Sequence, residues 1–246
     1  MKGRYMEIGL IGFGQFGQFF VQHLKEKAKI FVADKIDKST EAEKLGVKFV
    51  SINEAAAKEL VILAVPMSSF ENTLKEIIGL VKEGSTVLDV CSLKVFSCNL
   101  MSRLLPKTVD IIGAHLLFGP QSGRLGVAGL KIALCPVRAS VASLNKIKNI
   151  FRNLGVKIIE TTPEEHDRCM AISHGLMHFI TLPLIRMGVK DQEIKISALD
   201  KALELVDIFK DDSEQLFKDV QSLNPYARRL RKRFIKELQE IDSKLK

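Results

Sequence analysis

The stretch Glu7 to Gly17, EIGLIGFGQFG, limits the fold more than any other part of this chain. Ile8-Gly9-Leu10-Ile11 is a short apolar run suited to a buried strand, and a helical apolar periodicity follows from Gln15 to Lys27. Gly12, Gly14 and Gly17 fall between the two. A G-x-G-x-x-G spacing at a strand-to-helix corner is where a dinucleotide pyrophosphate can sit. Gly12 permits the tight turn, Gly14 lets the backbone approach the phosphates, and Gly17 lets the helix pack on the strand; Phe13, Gln15 and Phe16 complete the loop. The helix N-terminus offers unpaired N–H groups and a partial positive charge to the anion. A second strand, Lys29 to Ala33, ends at Asp34, about 20 residues on, where a carboxylate can accept hydrogen bonds from an adenosine ribose. The competing reading is a bare structural turn with a solvated aspartate, which leaves the order of strand, glycines, helix, strand and acid unexplained.

The alternation continues. Thr40 to Leu45 and Asn53 to Lys58 are short helices around a strand at Val47 to Val50. Leu60 to Val65 is a continuous apolar run, as expected of a central parallel strand buried on both faces, and Pro66 ends it. A helix over Ser69 to Val81, a strand over Thr86 to Val90, a helix over Val95 to Leu105 and a strand over Asp110 to Ala114 follow. Leu116 to Gly129 is glycine-rich loop. Lys131 to Cys135 and Val156 to Glu160 extend the sheet, with Ser140 to Leu154 helical between them. Beyond Pro163 no strand pattern recurs. Glu164 to Gly188 is expected to be one long helix, kinked at Pro183. Further helices are expected over Asp191 to Lys210, Asp212 to Leu223 and Tyr226 to Lys246. The predicted class is α/β: a doubly wound, mostly parallel Rossmann-type sheet with right-handed crossovers, followed by an all-helical region. The domains are predicted as residues 1–161, binding a dinucleotide, and 162–246, binding substrate and forming a dimer through its apolar stripes.

Composition removes several classes. The chain has 246 residues, 46% hydrophobic, enough for a substantial core. No apolar run reaches the ~18 residues of a membrane span, and the start MKGRYMEIG has no signal-peptide pattern. The four cysteines, Cys91, Cys98, Cys135 and Cys169, lack C-x-x-C spacing and suit reduced thiols in a cytoplasmic protein. The net charge is +8, with the densest basic cluster at Arg228, Arg229, Arg231, Lys232 and Arg233. Few aromatics accompany it, so a solvated helix face or a field for anionic ligands is expected rather than nucleic-acid binding.

Ligands in such a sheet collect at the carboxyl ends of the strands. Four ends carry candidates: Gly12 to Gly17, Val65-Pro66-Met67-Ser68, Cys91-Ser92-Leu93-Lys94, and His115. A histidine near the nicotinamide end of a dinucleotide can take a proton from a hydroxyl as hydride leaves its carbon, and its ordinary pKa of about 6.5 suits that work. A serine beside it can orient the same hydroxyl; equally, Ser92 suits a helix N-cap. Lys94 could hold phosphate, cap a helix or be solvated. His174 and His178 lie at i and i+4 on one helix face. They could bind a metal, but no third ligand is evident and H-E-x-x-H is absent, so no metal is expected and a hydrogen-bonding role toward an anionic substrate is the better reading of His178.

Taken together, GLIGFGQFG, VILAVP, DVCSLK, GAHLLFGP and EHDRCMAISHGLMHF, spanning residues 7–179 in order, resemble the prephenate/arogenate dehydrogenase family of tyrosine biosynthesis. The resemblance implies NAD(P)-dependent oxidation of a 4-hydroxycyclohexadiene with loss of the ring carboxylate. It implies that His115 accepts the hydroxyl proton, that Ser92 bonds the same oxygen and that His178 contacts substrate. His174 stands where relatives often carry serine or glutamine, and Gln121 where some carry a substrate-facing glutamate. No counterpart is evident for the arginine that grips a substrate carboxylate in some members; Arg124, Arg186, Arg228 and Arg229 are the substitutes. Asp34 points to NAD, because a carboxylate repels a 2′-phosphate, while Lys35 and Lys38 are near enough to soften that and leave NADP open. The rival readings are another reductase of the same plan, or a dinucleotide-sensing module with no need of both Ser92 and His115.

Overall fold

The computed structural model describes residues 6–245, and the chain divides into two units, Met1–His166 and Asp167–Lys246. In the first, eight strands form one sheet: β1 (Glu7–Ile11), β2 (Lys29–Ala33), β3 (Lys48–Phe49), β4 (Leu60–Leu63), β5 (Thr86–Asp89), β6 (Asp110–Leu116), β7 (Lys131–Arg138) and β8 (Lys157–Glu160), in the order β3-β2-β1-β4-β5-β6-β7-β8. Strands β1 to β6 are parallel; β7 runs antiparallel to β6, and β8 is parallel to β7. The intervening helices are α1 (Gln15–Leu24), α2 (Ser39–Leu45), α3 (Ile52–Ala56), α4 (Met67–Ile77), α5 (Lys94–Leu104) and α6 (Val141–Asn153).

Burial explains the composition of the strands. Every residue of β4 and β5 is buried, which is why LVIL carries no polar alternation. Helix α1 buries Gly17, Phe20, Val21 and Leu24 on one face and Phe19 on another, and the Phe20 ring stacks on Phe151 of α6 at 6.1 Å between centroids. Each such aromatic contributes about 1.5–3 kcal/mol of burial free energy.

The register fixes where chemistry can occur. Ala33, Ile11, Leu63, Asp89 and Gly113 lie in one row across β2, β1, β4, β5 and β6. Asp34, the glycine turn, Val65-Pro66, Ser92 and His115 follow that row in sequence, so all five leave the same carboxyl edge. The strand order reverses beside β1, the position at which open α/β sheets hold ligands.

The second unit holds the end of α7 (Pro163–Met170), a π-helical segment Ala171–Leu176, then α8 (Met177–Arg186), α9 (Ser197–Phe209), α10 (Glu214–Leu223) and α11 (Ala227–Ser243). The division falls inside α7, beyond the loop at residue 161 where the pattern change suggested it. Three helical expectations are corrected. The long helix carries a π turn over Ala171–Leu176 that the periodicity did not announce, and Pro183 lies inside α8. Residues 191–196 are not helical: Ile196 is extended as the N-cap of α9, and Lys195 bonds both Asp191 and Asp200. The last helix stops at Ser243. Among the described residues no helix is long and apolar enough to cross a membrane.

Two glycines separate scaffold from site. A Cβ on Gly17 would lie 2.1 Å from the Gly12 carbonyl oxygen, whereas one on Gly14 would meet nothing within 4 Å. Gly17→Ala is therefore expected to lower stability by about 1–3 kcal/mol in urea unfolding, the usual range for overpacking. Gly14→Ala is expected to change it by less than about 1 kcal/mol. Equal losses in the two variants would overturn this division of labour.

Candidate active site

The glycine turn is built as an anion cradle. Gly12 has φ +100°, and its N–H donates to Ala33 O at 2.9 Å. A side chain there would collide with the Ala64 backbone, 2.4 Å away. Gly14 is the N-cap of α1 and contributes no side-chain cap, and the first turn of α1 holds no acidic residue to cancel its partial positive charge. Open space beyond Gly14, exposed Gln15 and uncapped N–H groups fit a pyrophosphate. Asp34 Oδ2 accepts the Phe13 N–H at 2.6 Å, and Oδ1 accepts the Ile36 N–H at 3.1 Å. The acid is thus tied to the turn. The Phe13 side chain is fully buried, so that residue presents backbone rather than a ring to this edge. Lys38 is engaged by Glu41 at 3.0 Å, while Lys35 is exposed.

Val65 is half-buried and Pro66, exposed, caps α4. The Cys91 thiol donates to Val65 O at 3.8 Å, joining the ends of β4 and β5. Burial pushes that thiol well above its ordinary pKa, which keeps it protonated.

Lys94 does none of the things its sequence suggested. It is fully buried at the start of α5, paired with the equally buried Asp89 Oδ1 and donating to Ala114 O at 2.6 Å. Burial raises the Asp89 pKa and works against the Lys94 charge, but on balance Lys94 is raised because the carboxylate holds its proton. We describe the pair as ionised, since two neutral partners would forgo the attraction that offsets their desolvation. Asp89 Oδ1 also accepts the Cys91 N–H at 3.0 Å. One buried charge pair therefore fixes both the turn that carries Ser92 and the peptide that precedes His115. Ser92 is half-buried; the N-cap of α5 is Leu93, so the capping role considered for Ser92 is not taken.

His115 lies in β6 opposite Ala133 of β7, and its Nδ1 is 2.9 Å from His166 Nε2. The rings meet edge to face at 5.1 Å. Two neutral imidazoles joined this way share one proton. When it sits on His115 Nδ1, His115 Nε2 keeps a lone pair and can act as a base. His166 is 4% exposed, so the pair is shielded on that side. The sequence placed His166 only in a helix's first turn; its partner lies 51 residues away, a separation that no local pattern reveals. Gln121 is exposed in the loop after β6. The loop also packs on α1: a Cβ on Gly123 would lie 2.4 Å from the Phe19 ring, and a groove of about 350 Å³ there is lined by Gln15, Gln18, Pro120 and Arg124.

In the second unit His174 and His178 stack with parallel rings, 6.0 Å between centroids, and Phe209 stacks on both. His178 Nδ1 is 3.7 Å from Asp212 Oδ2, so a third donor stands by the two histidines although the sequence showed none. Burial lowers the His174 pKa to about 4, with His178 adding to the effect, and lowers that of His178 too. Burial and neighbouring Asp211 raise Asp212 to about 6. Polar side chains around the break before α11 tie the helical unit together. Asn224 donates to Asp167 O at 2.8 Å, Gln221 donates to Gly175 O in the π segment at 2.6 Å, and Arg231 holds Gln221 Oε1 at 2.6 Å. Arg228 and Arg229 are exposed.

Removing one member of the buried pair should cost more than removing both. Lys94→Met is expected to lose about 3–5 kcal/mol in urea unfolding by leaving Asp89 buried and uncompensated. Asp89→Leu with Lys94→Met should lose clearly less than Lys94→Met alone, and additive losses would contradict the ion-pair reading.

A family model described as prephenate dehydrogenase, nucleotide-binding domain, matches residues 20–160. The whole chain is 29% identical to a probable arogenate/prephenate dehydrogenase of Methanocaldococcus jannaschii, of which it spans 58%. Over 99% of its length it is 28% identical to the chloroplastic arogenate dehydrogenase 1 of Arabidopsis thaliana, of which it spans 40%. Among solved structures, prephenate dehydrogenase from A. aeolicus in complex with hydroxyphenyl propionate and NAD+ superposes with a TM-score of 0.76 at 18% identity, covering 99% of this chain and 91% of that one. Synechocystis arogenate dehydrogenase gives 0.71 at 20% identity, covering 97% and 90%. At those identities the structural likeness is one of fold.

Proposed function

This chain belongs to the prephenate dehydrogenase family, and on that premise we propose that it oxidises prephenate or arogenate with loss of the ring carboxylate, giving 4-hydroxyphenylpyruvate or tyrosine. The observation that carries the reading is the His115–His166 hydrogen bond at the carboxyl edge of the sheet. His115 Nε2 takes the proton of the substrate hydroxyl, and the His166 lone pair holds the proton on Nδ1 as the positive charge develops. Ser92 orients the same oxygen. Carbon dioxide leaves as the ring becomes aromatic. When bound, the nicotinamide dinucleotide supplies the hydride acceptor. Gly12, Phe13, Gly14, Gln15, Phe16 and Gly17 hold its pyrophosphate, with Val65 and Pro66 alongside and Asp34 on the ribose. Asp34 at the turn, with Lys38 drawn off by Glu41, supports NAD over NADP. Substrate contacts by His178, His174 and Gln121 belong to the same proposal, on the resemblance of the motifs that carry them.

The protein assayed for NAD reduction with prephenate and arogenate in parallel should turn over at least one. His115→Asn should keep dinucleotide affinity and lose at least about 100-fold in kcat, within the usual worth of a general base. His166→Phe should lose less, about tenfold, and shift the pH profile, because it alters the basicity of His115 rather than removing it. Binding of NAD without turnover of either substrate would refute the assignment, and a His115→Asn variant within about threefold of wild type would remove His115 as the base.

The proposal extends to a homodimer in a reducing, cytoplasmic setting. Its support is the outer face of α11, where Ile235, Leu238 and Ile241 are 39%, 50% and 57% exposed. Light scattering after size exclusion should give twice the chain mass at micromolar concentration. Leu238→Glu with Ile241→Glu should give a folded monomer. A wild-type monomer at that concentration would refute the dimer.

A further inference from the structure

We propose that His174, His178 and Asp212 form a binding site for a divalent transition-metal ion of the zinc class, contained wholly within the helical unit. The donor atoms of the three residues lie within 4.8 Å of one another, and His178 Nδ1 is 3.7 Å from Asp212 Oδ2. Zinc–nitrogen bonds of about 2.0–2.1 Å with tetrahedral angles set donor separations near 3.3–3.4 Å, so modest side-chain closure completes the geometry. Two imidazole nitrogens and one carboxylate oxygen select zinc, cobalt, nickel or iron over magnesium and calcium, which take oxygen. Three protein donors leave a fourth position for water or another ligand.

An independent observation points to a ligand. His178 is 3% exposed, yet its Nδ1 has no hydrogen-bond partner among the described residues. An unsatisfied buried nitrogen ordinarily costs stability, and native structures hold few of them. This nitrogen faces the Asp212 carboxylate. The surroundings favour a cation too. Asp211, beside Asp212 in sequence, adds negative charge next to the donor set. Phe209 stacks 4.8 Å from His178, and Phe217 meets it edge-on at 4.9 Å, so the ring is held in place by apolar walls. His174 sits in the π-helical turn, a distortion frequent at functional sites. Gln221 binds the Gly175 carbonyl in that turn, so the distortion has its own support.

The site shares His174 and His178 with the substrate contacts proposed above, so metal and substrate exclude each other there, and its test uses neither substrate nor dinucleotide. The untagged chain, residues 1–246, is stripped with chelator and titrated with zinc against a chromophoric competitor, then with cobalt(II) while visible absorption is followed. One zinc per chain is expected, with intense cobalt bands typical of low coordination number, a rise in melting temperature and no response to magnesium. Asp212→Asn, nearly isosteric, and His174→Gln should each weaken zinc by more than about 100-fold, beyond the 10–100-fold cost of losing a mere outer partner. Circular dichroism of the metal-free variants checks that they are folded. His115→Asn and Cys169→Ser should bind zinc as wild type does. A dissociation constant above about 1 mM, retention of zinc by folded Asp212→Asn, or loss of zinc in His115→Asn or Cys169→Ser would overturn the site.

Discussion

A lysine ammonium with no exposure to water holds the working edge of the sheet together. Lys94 reaches from the start of α5 to Asp89 at the end of β5 and to the Ala114 carbonyl in β6. Each charge alone would be intolerable in this core; together they constrain each other. Because Asp89 stands in register with Gly113, the pair bridges the end of β5 to the middle of β6. Whatever His115 and Ser92 do, they do it from positions fixed by this contact. A Cβ at Gly113 would come within 2.5 Å of the Cys98 sulfur and 3.2 Å of the Lys94 chain, so the glycine makes room for the lysine.

The parts of the fold legible in the sequence are those set by local sterics or unbroken burial. Gly12 and Gly17 announce a turn because no side chain fits at either, and the LVIL strand announces its depth because it carries no polar residue. Lys94 was illegible for the opposite reason: a lysine after a serine at a helix start is usually solvated, and only the three-dimensional neighbour Asp89 makes burial tolerable. His166 and Asp212 were missed because their partners are distant in sequence. The π turn was missed because an inserted residue in a helix leaves the apolar periodicity nearly intact on either side. The segment at 191–196 looked helical by composition, yet Ile194 and Ile196 are 95% and 76% exposed and the charges of Asp191 and Lys195 close on each other locally.

The helical unit depends on polar contacts more than its apolar stripes suggest. Asn224 and Gln221 are nearly inaccessible, and each satisfies a backbone carbonyl in the preceding helical stretch. Arg231 closes over Gln221 from α11, and its guanidinium lies 5.9 Å from the Phe179 ring centroid. Part of what looked like a free basic cluster is thus internal framework. Arg228 and Arg229, candidates for gripping a substrate carboxylate, face outward.

The bond from the Phe13 amide to Asp34 makes the turn and the acid a single mechanical part. Any exchange of Asp34 for a residue that tolerates a second phosphate removes an acceptor from the main chain of the loop that would cradle the first. Coenzyme preference in such a chain is therefore not an independent dial. A lineage could change it only by finding another partner for that amide in the same step, or by accepting a looser grip on both coenzymes in between.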